Sequence, residues 1–204
     1  MGQYYLGYVN DSQNGIKQVF DNEVDDDYNG LKLMEHSWWR NRYVGNVVNN
    51  LFYERKRVCW VGDYYDEDGY AQVNCDRATV KEIGEFVWGE HQEEHLTKSS
   101  KTRVRFLDGC LLVNHTKKQF IICDDYYERN KFIEHWSGKD YPCVIHPLPL
   151  LTCSASHSGG SYRGTNSDLC GTWFNDEIEV VLDSEIEPLT EQGYTEVLPE
   201  FKER

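Results

Sequence analysis

Apolar and polar positions alternate over residues 4–9, break at Ser12-Gln13-Asn14-Gly15, and resume over residues 16–20. Asn-Gly between two such runs is a strong hairpin signal, so the chain is expected to open on a β-hairpin. The acidic stretch 21–29 reads as exposed loop, and 31–34 as a short apolar strand. Over 40–55, Tyr43, Val44, Val47, Val48, Leu51 and Phe52 recur at steps of three and four, which predicts a helix. Ser37 is placed to cap that helix or a turn before it. A strand is expected at 57–65, with Gly62 and Asp63 near its end, then a polar loop at 66–76. A helix is expected at 79–96, with Val80, Ile83, Phe86 and Val87 on its apolar face. Strands at 103–106 and 109–113 follow. A turn at 114–118 and a returning strand at 119–123 make a second hairpin. Asp124 or Asp125 then caps a short helix through Tyr127, Phe132 and Ile133, ended by Gly138. The last strand is 178–182.

This order predicts an α+β fold in one domain over 1–184, with a C-terminal helix or tail at 185–204. The sheet is expected to be mixed or antiparallel, with two or three helices and a long glycine-rich loop. That loop dominates the candidate chemistry. Residues 144–151 are apolar but carry Pro147 and Pro149, which suggests an extended edge segment, because proline donates no ladder hydrogen bond. Residues 152–161 are nearly all small and end in Gly159-Gly160, so their backbone can approach a ligand closely. His157 and Arg163 add positive charge for a bound anion. The spacing matches neither a P-loop nor a dinucleotide fingerprint.

His36 and Asp63 are expected at the ends of two strands that flank one helix. If those strands are parallel neighbours, both groups emerge at one edge, where α/β ligand sites lie. The candidate ligand-binding set is therefore His36, Trp38, Asp63, His146, His157, Gly159, Gly160, Tyr162 and Arg163. The bland alternative is a satisfied, half-buried His36 and a turn residue at Asp63. Two metal patterns are weaker. His91, Glu94 and His95 match an inverted zinc-peptidase string, but no further residue stands out as a third ligand, and an exposed acidic helix end explains the stretch. Asp25, Asp26 and Asp27 lack the rest of a calcium loop, so solvation is expected there. No metal site is assigned, and the residues name no cofactor and no catalytic group.

Charge narrows the function classes. Among 204 residues, 21 Lys and Arg face 35 Asp and Glu, a net charge of −14. Such a surface repels nucleic acid but suits a basic protein partner. With 39% hydrophobic and 14% aromatic residues the chain is globular. No apolar run has the length of a membrane span, and the N-terminus lacks the features of a signal peptide. Gly2 is present, but Leu6 fits the myristoylation pattern poorly. The seven cysteines include no CxxC pair, and Cys59, Cys110 and Cys123 sit in apolar runs as small hydrophobes. Reduced thiols and a cytoplasmic location are expected.

Six segments carry a resemblance: MGQYY at the start, GLKLMEHSW over 30–38, WVGDYYD over 60–66, LLVNHTKKQFI over 111–121, IHPLPLLT over 145–152 and GGSYRG over 159–164. In these the chain resembles an uncharacterised family of small bacterial and bacteriophage proteins. The resemblance implies a cytoplasmic setting, often in phage or mobile elements, and brings no catalytic residues. Family members tend to have an acidic residue after the glycines and an extra arginine before them. Here those places hold Ser161 and Ser154-Ala155-Ser156-His157, so a site built on those charges is altered in this chain.

Two function classes follow. The first is an acidic interaction protein that binds and inhibits a basic host protein, such as a nucleic-acid-binding defence protein, without touching nucleic acid or membrane itself. The second is a binding protein or hydrolase for a small anionic or nucleotide-like ligand, with its site at the glycine-rich loop.

Overall fold

The computed structural model describes residues 4–20, 32–65, 75–90, 92–97, 104–136, 139–154 and 167–201. The fold is α+β around a mixed sheet. The elements run β1 (Tyr5–Asp11), β2 (Ile16–Phe20), α1 (Leu33–His36), α2 (Arg42–Asn49), β3 (Lys56–Gly62), α3 (Arg77–Trp88), α4 (Gln92–His95) and β4 (Leu96–Thr97). They continue with β5 (Cys110–Asn114), β6 (Gln119–Ile122), α5 (Cys123–Asn130), β7 (Phe132–Trp136), β8 (Lys139–Cys143), α6 (Pro147–Leu151), β9 (Glu177–Leu182), α7 (Ile186–Glu191) and β10 (Thr195–Glu196). Eight strands form one sheet in the order β10-β6-β5-β9-β3-β1-β2-β4, while β7 and β8 form a separate two-stranded ribbon. Only the short outer strands pair in parallel, β10 with β6 and β4 with β2.

Both hairpins form as expected. At the first turn Asp11 Oδ1 accepts from the amides of Gln13 (3.1 Å) and Asn14 (3.0 Å), and Gly15 takes a positive φ of 68°. Successive side chains of each long strand enter different cores. Val58 and Trp60 pack with α2 and α6, whereas Cys59 and Val61 pack with α3. Leu112 faces the first core, and Leu111 and Val113 face Leu189 of α7. A sheet covered on both faces needs apolar residues at every position, which explains runs such as Val58-Cys59-Trp60-Val61.

The expected elements differ from the observed ones in several places. Residues 33–36 form a helical turn instead of a strand, because Glu35 Oε2 folds back onto the Lys32 amide (3.1 Å); four apolar residues alone do not distinguish the two. The helix expected over 40–55 covers only Arg42–Asn49 and is capped by Asn41, whose side chain accepts from the Val44 amide (3.2 Å). Ser37 instead donates its hydroxyl to Leu33 O (2.6 Å). The helix expected over 79–96 ends at Trp88, and Leu96–Thr97 joins the sheet. Residues 104–107 lie outside any strand. The helix expected through Ile133 stops at Asn130, and Phe132 begins the ribbon.

Residues 147–151 are helical, not extended. Pro147 and Pro149 fall within the first turn of α6, where amides have no intrahelical partner, so the missing donors cost nothing. Helices outnumber the two or three expected: α2, α3 and α5 have eight or more residues and shorter ones accompany them. The glycine-rich loop, the acidic loops over 21–29 and 66–74, and Gly138 lie outside the described residues.

Gly7 shows why the sheet tolerates α2 so closely. The Tyr43 hydroxyl accepts from the Gly7 amide at 2.6 Å and donates to Phe20 O at 3.3 Å. A Cβ on Gly7 would stand 3.1 Å from Val47 Cγ2. Tyr43→Phe leaves a buried amide without this acceptor. It is expected to lower stability by about 1–3 kcal/mol, measured as the shift in urea midpoint at constant slope. An unchanged midpoint would show that the hydroxyl is not part of what holds α2 to the sheet.

Candidate functional site

The segment after α1 pairs with the segment before α6. Trp39 N donates to Val144 O (2.9 Å), His146 N donates to Ser37 O (2.9 Å), and Trp38 bridges Ile145. This pairing brings His36, Trp38, Trp39 and His146 into one region.

Neither histidine faces solvent. His36 is fully buried, its Nε2 accepts from the Trp60 indole at 3.0 Å, and Tyr43 meets its ring edge-on at 5.1 Å. An Nε2 that accepts carries no proton, so this imidazole is neutral. His146 caps α6: its Nδ1 accepts from the Leu148 amide (3.2 Å) and its ring lies 5.6 Å from that of Trp39. Burial pushes its pKa from 6.5 down to about 3. Asp63 follows β3 in a turn, where its carboxylate accepts from Tyr4 N and its own amide donates to Tyr4 O, both at 3.0 Å. It ties the start of β1 to the end of β3.

His36 is thus in a helical turn and not at a strand end, so the two-strand edge expected for His36 and Asp63 does not form. Trp38 alone among the described candidates lines a cleft reported below. His157, Gly159, Gly160, Tyr162 and Arg163 lie outside the described residues, as do His91 and the side chain of His95. The ends of the glycine-rich segment are anchored. Ser154 Oγ accepts from the Gly62 amide (2.9 Å), and Gly171 N donates to Leu150 O (2.8 Å).

Directly outside the histidine region is an aromatic cleft of about 320 Å³, lined by Trp38, Trp39, Arg40, Asn41, Tyr127, Pro142, Cys143 and Val144. Trp39 is 5% exposed, stacks on Tyr126 at 5.9 Å and meets Tyr127 at 5.4 Å. Its indole Nε1 is the one buried side-chain polar atom without a hydrogen-bond partner among the described residues. The β7–β8 ribbon borders the cleft and exposes Ile133 and Tyr141. Sequence reasoning singled out Trp38 and missed Tyr127, Pro142 and Cys143. The paired aromatics Trp38-Trp39 and Tyr126-Tyr127 were the available signal, but only the ribbon's position joins them to Pro142.

The cleft adjoins an acidic end of the sheet. The Gly109 amide donates to Asp124 Oδ1 (3.1 Å), and Asp183 N donates to Gly109 O (3.1 Å). Asp108 precedes that glycine. The carboxylates come from a turn, the first turn of α5 and the end of β9. Burial first, then the charges of Asp124, Asp108 and Asp183, push the Cys110 thiol above its ordinary range. Asp108 pairs with Arg40 of the cleft (3.2 Å). Asp124, Asp125 and Asp183 are exposed, with no basic partner within ion-pair distance among the described residues.

Two further clefts lie elsewhere. One of about 340 Å³ is lined by apolar residues including Leu151, Leu169, Trp173 and Leu198, together with Lys117 and Gln119. Lys117 is engaged by Asp176 (3.4 Å) and by Thr172 O. The other, about 360 Å³, is polar and contains Arg55, Lys56 and Glu179. Behind Glu179 runs a chain that the sequence did not disclose: His115 Nε2 meets Glu179 Oε2 and its Nδ1 meets Tyr194 Oη, each at 2.7 Å. His115 read as a turn residue because its partners are far away in sequence. The chain joins the C-terminal segment to β9. No group of three or more His, Cys, Asp or Glu among the described residues could hold a metal ion. No described helix is long and apolar enough to cross a membrane.

Comparison of the chain with family models, curated proteins and solved structures returns no match. The function therefore has to be argued from geometry and charge.

The buried His146 makes a pH prediction. Above pH 6.5 it is neutral in both the folded and unfolded chain and costs nothing. As pH falls below 6.5 the unfolded chain binds a proton that the fold refuses, so stability drops until pH reaches about 3. The cost near pH 5 is about 2 kcal/mol. His146→Asn keeps the cap and removes the titration. It is expected to flatten this part of the acid limb in urea titrations run at several pH values, and an unchanged limb would contradict the assignment.

Proposed function

We propose that this protein is an acidic, cytoplasmic interaction protein that binds the basic face of another protein, one that contacts nucleic acid, and occludes it. The observation that carries this reading is the acidic end: Asp124, Asp125 and Asp183 stand exposed, without cationic partners among the described residues, beside an aromatic cleft. Unpaired charge of one sign steers a partner of the other sign and sets association rate and register. Aromatic side chains next to it supply the area that charge alone does not. The chemistry of the described interior favours recognition over catalysis, since His36 and His146 are neutral core residues and Asp63 is a backbone lock. A phage or mobile-element origin, with a host defence protein as the target, rests on the segmental resemblance and is part of the proposal.

A second reading has its own observation. The apolar cleft at Trp173 and Leu169 holds Lys117 at its lining and lies where the chain returns from the glycine-rich segment. Its volume and mostly apolar lining suit a small ligand with an apolar body. Native mass spectrometry of protein purified from host cells separates the two: a small adduct lost on denaturation supports this second reading.

The interaction reading predicts a basic protein that co-purifies at low salt and is released at high salt. The double substitution Asp124→Lys with Asp125→Lys is expected to weaken that binding about tenfold, because it replaces attraction by repulsion. Binding that ignores both salt and this charge reversal, or the absence of any basic partner in host lysate, would sink the proposal.

A further inference from the structure

Resting on the interaction reading, we propose that the aromatic cleft of Trp38, Tyr127 and Pro142 is the slot for an arginine side chain on an exposed basic segment of the partner protein. Three observations lead there. The first is the composition of the walls. Trp38 and Tyr127 are half-buried, with part of each side chain open to a ligand, and Pro142 faces solvent. A guanidinium is planar and weakly hydrated, so it stacks on such faces, with Trp the strongest acceptor.

The second is charge. The cation already in the cleft, Arg40, is paired with Asp108 at 3.2 Å and lies 6.0 Å from the Phe106 ring centre. Its charge is therefore answered outside the aromatic walls. Lys131, which follows the end of α5, is held by Glu128. On this helix Asp124, Asp125 and Arg129 have no ion-pair partner among the described residues, which leaves a net negative charge, and the exposed Asp183 adds to it. An incoming arginine thus meets aromatic faces with a net negative charge next to them, whereas for an incoming anion the cleft's own cation, Arg40, is already paired and the field is unfavourable.

The third is the orphan donor. Trp39 lines the same cleft, and its indole N–H has no acceptor. A buried donor left unmade is costly, and native structures rarely carry one without a reason. This donor is fully covered in the free protein, so a main-chain carbonyl of the incoming peptide meets it only as the Trp39 ring turns on binding. A free metal cation or an ammonium ion would bring no carbonyl.

The test uses the full chain and two probes, an oligo-arginine peptide and an oligo-lysine peptide of equal length, titrated at low and at high salt. The wild-type protein is expected to bind the arginine peptide about fivefold more tightly than the lysine peptide. Tyr127→Ala and Trp38→Leu should each erase that preference while leaving salt-dependent binding of both peptides. Glu82→Gln, on the far face of the sheet, should keep it. In a two-dimensional amide spectrum the Trp39 indole cross-peak, assigned with Trp39→Phe, should move on addition of the arginine peptide. Equal affinity for the two peptides, or a preference that survives both aromatic substitutions, overturns the slot and leaves the acidic docking reading standing. A stationary Trp39 signal at saturation also overturns it. Failure of either peptide to bind at low salt removes the interaction reading itself.

Discussion

The main-chain pairing of residues 37–39 with residues 144–146 is the contact on which the rest of the candidate region depends. Two hydrogen bonds of 2.9 Å and one bridge hold it. It fixes where α1 ends and where α6 begins, and it brings together segments with no local reason to meet. His36 then reaches the Trp60 indole, and His146 turns its ring nitrogen onto the first amides of α6. Trp38 and Trp39 are left on the outer side, against Tyr127 and the root of the β7–β8 ribbon. The same covalent run continues through α6 into Thr152, Cys153 and Ser154, which occupy the edge of β3 that β9 leaves open. One short pairing therefore links the first core, the cleft and the anchor of the glycine-rich segment.

Much of the sheet was legible because its signals are local. Asn14-Gly15 and the turn at 114–118 each sit between apolar runs, and both give hairpins. The buried state of Cys59, Cys110 and Cys123 followed from their apolar neighbours. The misread elements share a different cause. Leu33 and Met34 are as apolar as a strand, and only the Lys32–Glu35 contact makes them a turn of helix. Pro147 and Pro149 argue against a strand, but they equally suit the first turn of a helix, and His146 as the capping side chain decides between the two. The candidate cleft was harder still. Trp38 stood out as a site residue, yet Tyr127 and Pro142 reach it through contacts across the fold that no spacing in the chain encodes. His115, Glu179 and Tyr194 are hidden for the same reason.

Burial sorts the ionisable groups into two populations. In the interior the His146 imidazole and the thiols are neutral. The imidazole of His146 is held down to about 3, and the thiols of Cys59 and Cys123 are pushed well above their ordinary range, all chiefly by loss of water. Buried, protonated thiols are poor nucleophiles, and a neutral histidine locked in a cap has no lone pair to spare for a substrate. Most charge lies at the surface, where exposed pairs such as Lys17 with Glu82 contribute little to stability, while the buried Lys56 and Asp176 are paired with Glu54 and Lys117. Of the exposed carboxylates on α5, Asp124 also holds the Gly109 amide, while Asp125 has no hydrogen-bond or ion-pair partner among the described residues.

The β7–β8 ribbon gives that surface its shape and its weakness. It stands outside the eight-stranded sheet, and β8 is exposed along most of its length. A two-stranded ribbon has marginal stability without a partner layer. Here its inner end is supported by Phe132 against Trp38, at 6.4 Å between ring centres, while Ile133 and Tyr141 remain exposed. Exposed apolar side chains on a marginal element are a liability unless something covers them. On the proposed interaction reading, a partner that enters beside the ribbon shields Tyr141 and Pro142, reaches Tyr127 and approaches Asp124 and Asp125 in one docking event. On the proposed reading, a single basic segment would cover both the marginal ribbon and the exposed carboxylates of α5.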